Sequence, residues 1–384
     1  MTPEEQLALI KSQVAHVGQE FRESLRGLFH PEPPVDFVAQ ARKQLETAER
    51  VRTQPMLAVG LLTAVAALLL LLLVPYRGYN ESVTLVIEQG LGRRAIATRL
   101  ADRGVLLSRW PFLLYSVLRP WNTLKAGEYR FDGAQSAAGV FHTLARGRIY
   151  LHSLTIPEGW TRWEIADEVA RLKLANRDAF LRATEDTSLI HDLAPEATSL
   201  EGYLYPDTYR FARPADPQEM VRAMVDRIRT VLRELEPGRG TDHRSISEIV
   251  TLASLVEEET GARGERGLIA GVYSNRLRRR VPLACDPTVI YAARLAFDGE
   301  FDGIIHQSDL DRKSPYNTYL HPGLPPGPIA SPGKAALAAA LHPAETDFLY
   351  FVSNTEGGHY FARTGREHVR NVARYRRLRA QKQQ

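Results

Sequence analysis

Three successive glutamates, Glu257, Glu258 and Glu259, close a helical run that begins near Ile246. At roughly 100° per residue, with Ile246 at zero, Ile249, Val250, Ala253 and Val256 fall near 300°, 40°, 340° and 280° and form one apolar stripe. Ser247, Thr251, Ser254 and Glu258 fall between about 80° and 140° and form a polar face. Glu257 falls near 20°, in the middle of the apolar stripe, and Glu259 near 220°, at its margin. Burying an ionised carboxylate without partners is costly, so a carboxyl in that position is expected to have a raised pKa. A carboxylic acid that keeps its proton near neutral pH can serve as a general acid. The alternative is a helix end leaving the core, where Glu257 reaches water or caps a neighbour.

Other chemistries find little support. The single cysteine, Cys285, permits neither an intramolecular disulfide nor a cysteine-based zinc site. The 11 histidines show no H-E-x-x-H or H-x-H spacing, so no metal site is expected. Gly90-Leu91-Gly92-Arg93-Arg94-Ala95 matches the dinucleotide pattern G-x-G-x-x-A, but Asp102 comes too early to be its ribose-binding acid. A net charge of +4 without a recognisable binding motif argues against a nucleic-acid partner.

The elements that must position Glu257 begin with an anchor. Residues 53–76 carry no charge and include six consecutive leucines, Leu68 to Leu73, enough for one bilayer-spanning helix over 56–76. Arg42, Lys43, Arg50 and Arg52 precede it, whereas only Arg77 follows within 75–90, which places residues 1–55 in the cytoplasm and the rest outside. A weak repeat follows. At an offset of 69, Ile87, Gly90, Arg93, Ile96 and Ala97 fall on Ile156, Gly159, Arg162, Ile165 and Ala166. Gly127 to Phe131 echoes Asp207 to Phe211. The pattern predicts a strand–helix–helix–strand unit used twice, the first copy filling a module over 81–150 and the second opening a larger domain over 151–384. Met220, Met224, Ile228, Val231 and Leu232 mark a helix over 217–235 that Pro237-Gly238-Arg239-Gly240 breaks, and Ser245 or Ser247 caps the next. The whole is a mixed α+β pattern rather than a regular β-α alternation.

Leu252-Ala253-Ser254-Leu255-Val256-Glu257-Glu258-Glu259-Thr260 resembles the catalytic helix of the YceG-like endolytic murein transglycosylases. Further blocks of that family follow in order. They are Glu201-Gly202-Tyr203-Leu204-Tyr205-Pro206-Asp207-Thr208-Tyr209, Val272-Tyr273-Ser274-Asn275-Arg276-Leu277, Asp286-Pro287-Thr288-Val289-Ile290-Tyr291, Ser314-Pro315-Tyr316-Asn317-Thr318-Tyr319 and Gly323-Leu324-Pro325-Pro326-Gly327-Pro328-Ile329. His342-Pro343-Ala344 and Gly357-Gly358-His359-Tyr360-Phe361 close the series, so the resemblance covers about residues 83–377. It implies a membrane-anchored enzyme with a small LysM-like module and a catalytic domain, acting on peptidoglycan glycan strands. The family's catalytic glutamate falls on Glu257.

Such an enzyme needs one carboxylate where a hydrolytic glycosidase usually needs two. Glu257 is expected to protonate the glycosidic oxygen between N-acetylmuramic acid and N-acetylglucosamine. The same group would then take the proton of the muramyl 6-hydroxyl, which closes on C1 and leaves a 1,6-anhydromuramyl end. No metal or organic cofactor is implied. Tyr316, Asn317 and Tyr319 offer amide and hydroxyl groups and ring faces suited to sugars, or brace their loop. Asp286, before Pro287, either contacts substrate or caps a helix, and Tyr205 and Asp207 belong equally to a site or to a strand turn. The basic stretch Arg363 to Lys382 reads as a solvated helix. The competing functions are a hydrolase using water and a catalytically silent LysM-like scaffold that recruits peptidoglycan synthases.

Overall fold

The structure, a computed structural model, describes residues 55–235, 244–261, 263–299 and 301–382, with short pieces at 15–16, 18–19 and 39–43. The expected inner segment 1–55 and the break at Pro237–Gly240 lie almost wholly outside the described residues. The leucine-rich segment is a helix, α1 (Pro55–Leu73). Its side chains are described only from Leu62 onward, and no helix whose side chains are described throughout is long and apolar enough to cross a membrane.

The repeat exists in three dimensions. After α1 come β1 (Val83–Ile87), α2 (Arg93–Asp102), α3 (Arg109–Val117) and β2 (Gly127–Phe131). Following α4 (Ala137–Arg146), the same order recurs as β3 (His152–Thr155), α5 (Arg162–Arg171), α6 (Arg177–Ala183) and β4 (Thr208–Phe211). β1 pairs with β2 and β3 with β4, both antiparallel and in matching register: Leu85 faces Tyr129, and Leu154 faces Tyr209. Each of those tyrosines donates to the carbonyl four residues before it, Tyr129 to Lys125 at 2.8 Å and Tyr209 to Tyr205 at 2.7 Å. The turn after each first strand needs a left-handed backbone, which Gly90 (φ +81°) and Gly159 (φ +84°) adopt without the backbone strain that a side chain adds there.

Each unit feeds its own core. Leu85, Ile96, Leu100, Phe112, Tyr129 and Phe141 form one, within residues 85–144. The second runs from Leu154 to Leu341 and includes α7 (Pro217–Leu235), whose Met220, Met224, Ile228, Val231 and Leu232 are buried at the expected helical spacing. At its centre lies α8 (Ile246–Glu259), with Ser245 and Glu248 forming a capping box. Around it stand α9 (Arg266–Arg278), α10 (Asp286–Ala296), which a short α11 (Gln307–Leu310) flanks, and α12 (Lys334–Leu341). The hairpin β5 (Tyr350–Ser353) and β6 (His359–Ala362) and the basic helix α13 (Gly365–Lys382), which buries no residue, complete the chain.

One expectation about α8 fails. Thr251 and Ser254, assigned to a polar outer face, are buried, and α8 is enclosed on every side from Ile249 to Val256. Small hydroxyls tolerate this when paired: Ser254 donates to the Thr251 carbonyl at 2.7 Å and accepts from the Ile329 amide at 3.1 Å. A wheel ranks faces by polarity, whereas a central helix is covered by partners from all directions.

Candidate active site

The last turn of α8 emerges from that enclosure and carries the three glutamates. Glu257 has a side chain only 6% exposed. Its Oε1 accepts from Arg266 Nη2 at 2.8 Å and its Oε2 from the Gly333 amide at 2.9 Å. The expectation of an uncompensated carboxylate in an apolar setting therefore fails. The apolar side of α8 ends against the first turn of α9 and the loop before α12, and both supply donors to Glu257.

Arg266 also reaches Glu158, 3.6 Å away. Glu158 lies in the turn after β3, and that turn is fastened to the loop before α12 by two backbone hydrogen bonds, Gly159 N to Ser331 O and Ser331 N to Trp160 O, both 2.9 Å. Two glycines make the approach possible. A Cβ on Gly333 would stand 1.8 Å from Glu158 Oε1, and one on Gly159 would stand 2.9 Å from Glu258 Oε1. Glu158, Glu257, Glu258 and Arg266 thus converge on two backbone surfaces stripped of side chains. The hairpin at the other end holds the α8–α9 junction: His359 Nδ1 meets Glu265 Oε2 at 2.7 Å.

Two carboxyls of this turn are shifted upward. Glu258 presents surface to solvent, yet protein crowds its carboxyl on most sides; that desolvation, reinforced by the negative charge of Glu164, pushes it up to about 7. Burial likewise raises Glu259, against the opposing bonds from Cys285 and from the Tyr273 hydroxyl, which donates to it at 3.1 Å. Deeper still, Glu201 accepts from the Arg162 amide and the Tyr291 hydroxyl, and burial pushes it up to about 7.

The remaining sequence candidates divide. Tyr205 is buried beneath Arg227, and the charge of Glu158 reaches it, so it borders the cluster. Asp286 opens α10 and accepts from the half-exposed Tyr319 hydroxyl at 2.5 Å, close enough to Glu259 for their charges to interact. Asp207 is paired with Arg227 at 2.7 Å. Tyr316 packs its ring on Tyr291 at 4.9 Å, over Glu201 rather than over Glu257, and burial pushes its hydroxyl up to about 12. Asn317 departs from a substrate role. It is fully buried, its amide donates to the Leu310 and Arg312 carbonyls, and its oxygen accepts from the Tyr319 amide. Cavity size does not locate the site: an apolar cavity of about 530 Å³ between Leu193, Arg229, Leu232, Ile246 and Leu341 includes none of these groups.

Sequence reasoning missed Glu158, Arg266 and Gly333. A signal for Glu158 was present, since the repeat places Gln89 opposite it and the acid belongs to the second copy alone. Arg266 and Gly333 lie outside any motif, and only folding brings them to Glu257.

Comparison with known proteins places the chain in one family. The chain matches the YceG-like family over residues 85–374. The endolytic murein transglycosylase of Bacillus subtilis is 31% identical over 312 residues, covering 77% of this chain and 85% of that protein. The protein of the same description from Streptococcus pneumoniae serotype 2 is 31% identical over 330 residues, and the match spans 77% of this chain and 59% of the relative's length. Among solved structures, a YceG-like protein of Listeria monocytogenes superposes with a TM-score of 0.52 at 32% identity, covering 76% of this chain and 99% of its own. Because the match runs from β1 into α13 and takes in the whole carboxylate cluster, the chain belongs to the YceG-like family.

Proposed function

We propose that this protein is a lytic transglycosylase that cuts peptidoglycan glycan strands and leaves 1,6-anhydromuramyl ends, with Glu257 as its acid–base group. The observation that carries the reading is the placement of Glu257. It is a nearly buried carboxylate at the mouth of α8, fixed by Arg266 and the Gly333 amide, beside two glycines whose bare backbone lets Glu158 and Glu258 close in on it. Relatives described as endolytic murein transglycosylases support the substrate and the reaction.

In the first step a proton passes to the glycosidic oxygen as the C1–O bond breaks. In the second the muramyl 6-hydroxyl attacks C1 and gives up its proton, so no water is consumed and the carboxyl is regenerated. Arg266 steadies the ionised form of Glu257 between these steps. Glu158, 3.6 Å from the same guanidinium, shares Arg266 with Glu257. A second reading rests on the proton that Glu258 retains up to about pH 7 and on the two donors that already occupy both oxygens of Glu257. In it Glu258 protonates the leaving oxygen and Glu257 only removes the hydroxyl proton.

The module over 81–150 is LysM-like and holds glycan, the domain over 151–384 cuts it, and α1 anchors both to the outer face of the cytoplasmic membrane beside peptidoglycan synthases. The uncharged leucine run and the positive residues before it support that placement. Digestion of purified peptidoglycan by the full chain, followed by end-group analysis, tests the reaction. Anhydromuramyl ends are expected; reducing ends would make it a hydrolase, and no cleavage would make it a scaffold.

A further inference from the structure

Helix α3 buries Phe112 in the first core but leaves the opposite side bare. Trp110, Leu114, Val117 and Leu118 are 62%, 40%, 70% and 66% exposed, at the i, i+4, i+7, i+8 spacing of one helix stripe. Trp121 continues it at 89% exposed, and Leu107 precedes it at 62%. An apolar patch of this size on a folded protein marks something that covers it. Two arginines flank it, Arg109 with its guanidinium 5.2 Å from the Trp110 ring and Arg119 4.9 Å from the Tyr115 ring.

The patch adjoins the end of α1. Leu70, Leu71, Val74 and Tyr76 share a small cavity with Leu106, Leu107 and Pro111, and Tyr76 is bridged to Gln135 by backbone hydrogen bonds of 3.0 and 3.2 Å. Leu70, Leu73 and Val74 are themselves 62%, 62% and 48% exposed, so the bare side of α1 and that of α3 form neighbouring apolar surfaces. At about 1.5 Å per residue, the 19 residues of α1 span roughly 28 Å, close to the hydrocarbon thickness of a bilayer. If Pro55 enters at one interface, Leu73 leaves at the other, and the start of α3 lies at headgroup level. Tryptophan is the side chain suited to that level, since its ring is apolar and its N–H reaches water, and arginine there meets lipid phosphate.

We infer that the stripe from Trp110 to Trp121 docks on the outer leaflet of the membrane that α1 crosses, so that the first module lies on the lipid surface instead of swinging on the anchor. This rests on the membrane reading proposed above. Lying flat fixes the height of the second unit, and with it the distance from the bilayer at which Glu257 meets a glycan strand.

The test uses the full chain in vesicles of phosphatidylethanolamine and phosphatidylglycerol whose acyl chains carry bromine near the headgroup, which quenches tryptophans at the interface. Trp110 and Trp121 are two of the four tryptophans, and Trp163 is buried. The wild type should lose about half of its emission, and the Trp110→Ser, Trp121→Ser double variant almost none, as expected of interfacial rings. As a second measurement, Val117→Cys should react with an impermeant maleimide on the order of tenfold more slowly than Val86→Cys on the exposed side of β1, as expected of a lipid-covered position. Flotation with the vesicles separates the two claims. A chain that does not float with vesicles overturns the anchor and the docking together. A chain that floats while Trp110 and Trp121 stay unquenched and Val117→Cys reacts freely overturns the docking alone. Emission that shifts instead with added glycan strands would assign the stripe to substrate, and a cross-link between two Val117→Cys chains would assign it to a second copy; either result overturns the inference.

Discussion

The two strand–helix–helix–strand units share a register, a back-bonded tyrosine and a left-handed glycine turn, yet only one of them borders the carboxylate cluster. At Gly90 an added Cβ would meet nothing within 4 Å; at Gly159 it would meet the Glu258 carboxylate at 2.9 Å. Gln89 precedes the first turn and Glu158 the second. The second helix of the first unit, α3, keeps an apolar side bare, whereas α6 buries Phe180 and Ala183 with α7 packed beside it. Local sequence is therefore enough to build the unit. What it does depends on what the rest of the chain lays against its turn and its second helix.

The largest break in this comparison should come from Arg266, which has no partner-binding counterpart in the first unit. Arg266→Met leaves Glu257 buried with one donor fewer. Removing one partner of a buried ion pair typically costs about 3–5 kcal/mol, so thermal unfolding should shift downward and anhydromuramyl product should fall well beyond tenfold. Product formation and a melting curve, run together, check this; an Arg266→Met protein as stable and active as wild type would remove the pair from the site.

Next come the matched glycines. Gly159→Ala and Gly90→Ala each force a left-handed alanine, at about 1–2 kcal/mol, so both should lower the melting temperature similarly. Only Gly159→Ala should also cut activity, by on the order of 100-fold, because it shifts the turn bonded to the loop that brings the Gly333 amide to Glu257. Equal activities in the two variants would dissolve the distinction between the units.

A smaller effect is expected from exchanging the turn acids. Glu158→Gln weakens a half-exposed contact with Arg266, and contacts of that kind are worth about 1 kcal/mol or less, so activity should drop several-fold. Gln89→Glu should leave turnover unchanged in an end-group assay.

The smallest is a pH effect on stability alone. Glu201 and Glu258 are both pushed from the ordinary carboxyl value of 4.5 up to about 7 in the folded protein. The folded state binds those protons more tightly than the unfolded chain does. Their contribution is therefore fully present below pH 4.5, lost as the pH rises to about 7, and flat above. Melting curves from pH 4.5 to 7 should decline less steeply in Glu201→Gln than in wild type, and an unchanged slope would contradict the burial assigned to Glu201.

Much of this was legible in the residues. The repeat could be read because strand, glycine turn and helix start are local signals, and the 217–235 helix because its apolar spacing is long and regular. Glu257 was singled out by helix phase, and its side chain is indeed nearly buried. Its surroundings were not legible: Arg266 and the Gly333 amide are brought in by tertiary folding, and no periodicity announces them. The wheel also failed for Thr251 and Ser254, since a helix covered on all sides has no outer face. Asn317 looked like a sugar ligand because an amide among tyrosines fits either a loop brace or a binding site, and only burial with three backbone partners separates them. Trp110 and Leu114 drew no notice, because an apolar helix face reads as core until its covering is found missing.

The most direct measurement compares Glu257→Gln with Glu258→Gln, at equal folded concentration, by the anhydromuramyl ends each releases from purified peptidoglycan. Glutamine keeps the volume and one of the two accepting oxygens but cannot carry the proton, and acid–base catalysis typically contributes about 10²- to 10⁴-fold. Glu257→Gln should lose at least that much while still binding insoluble peptidoglycan, and Glu258→Gln should keep most of its activity. A Glu257→Gln enzyme that cuts at nearly the wild-type rate would contradict the assignment, and equal losses in both variants would transfer the proton-donating step to Glu258.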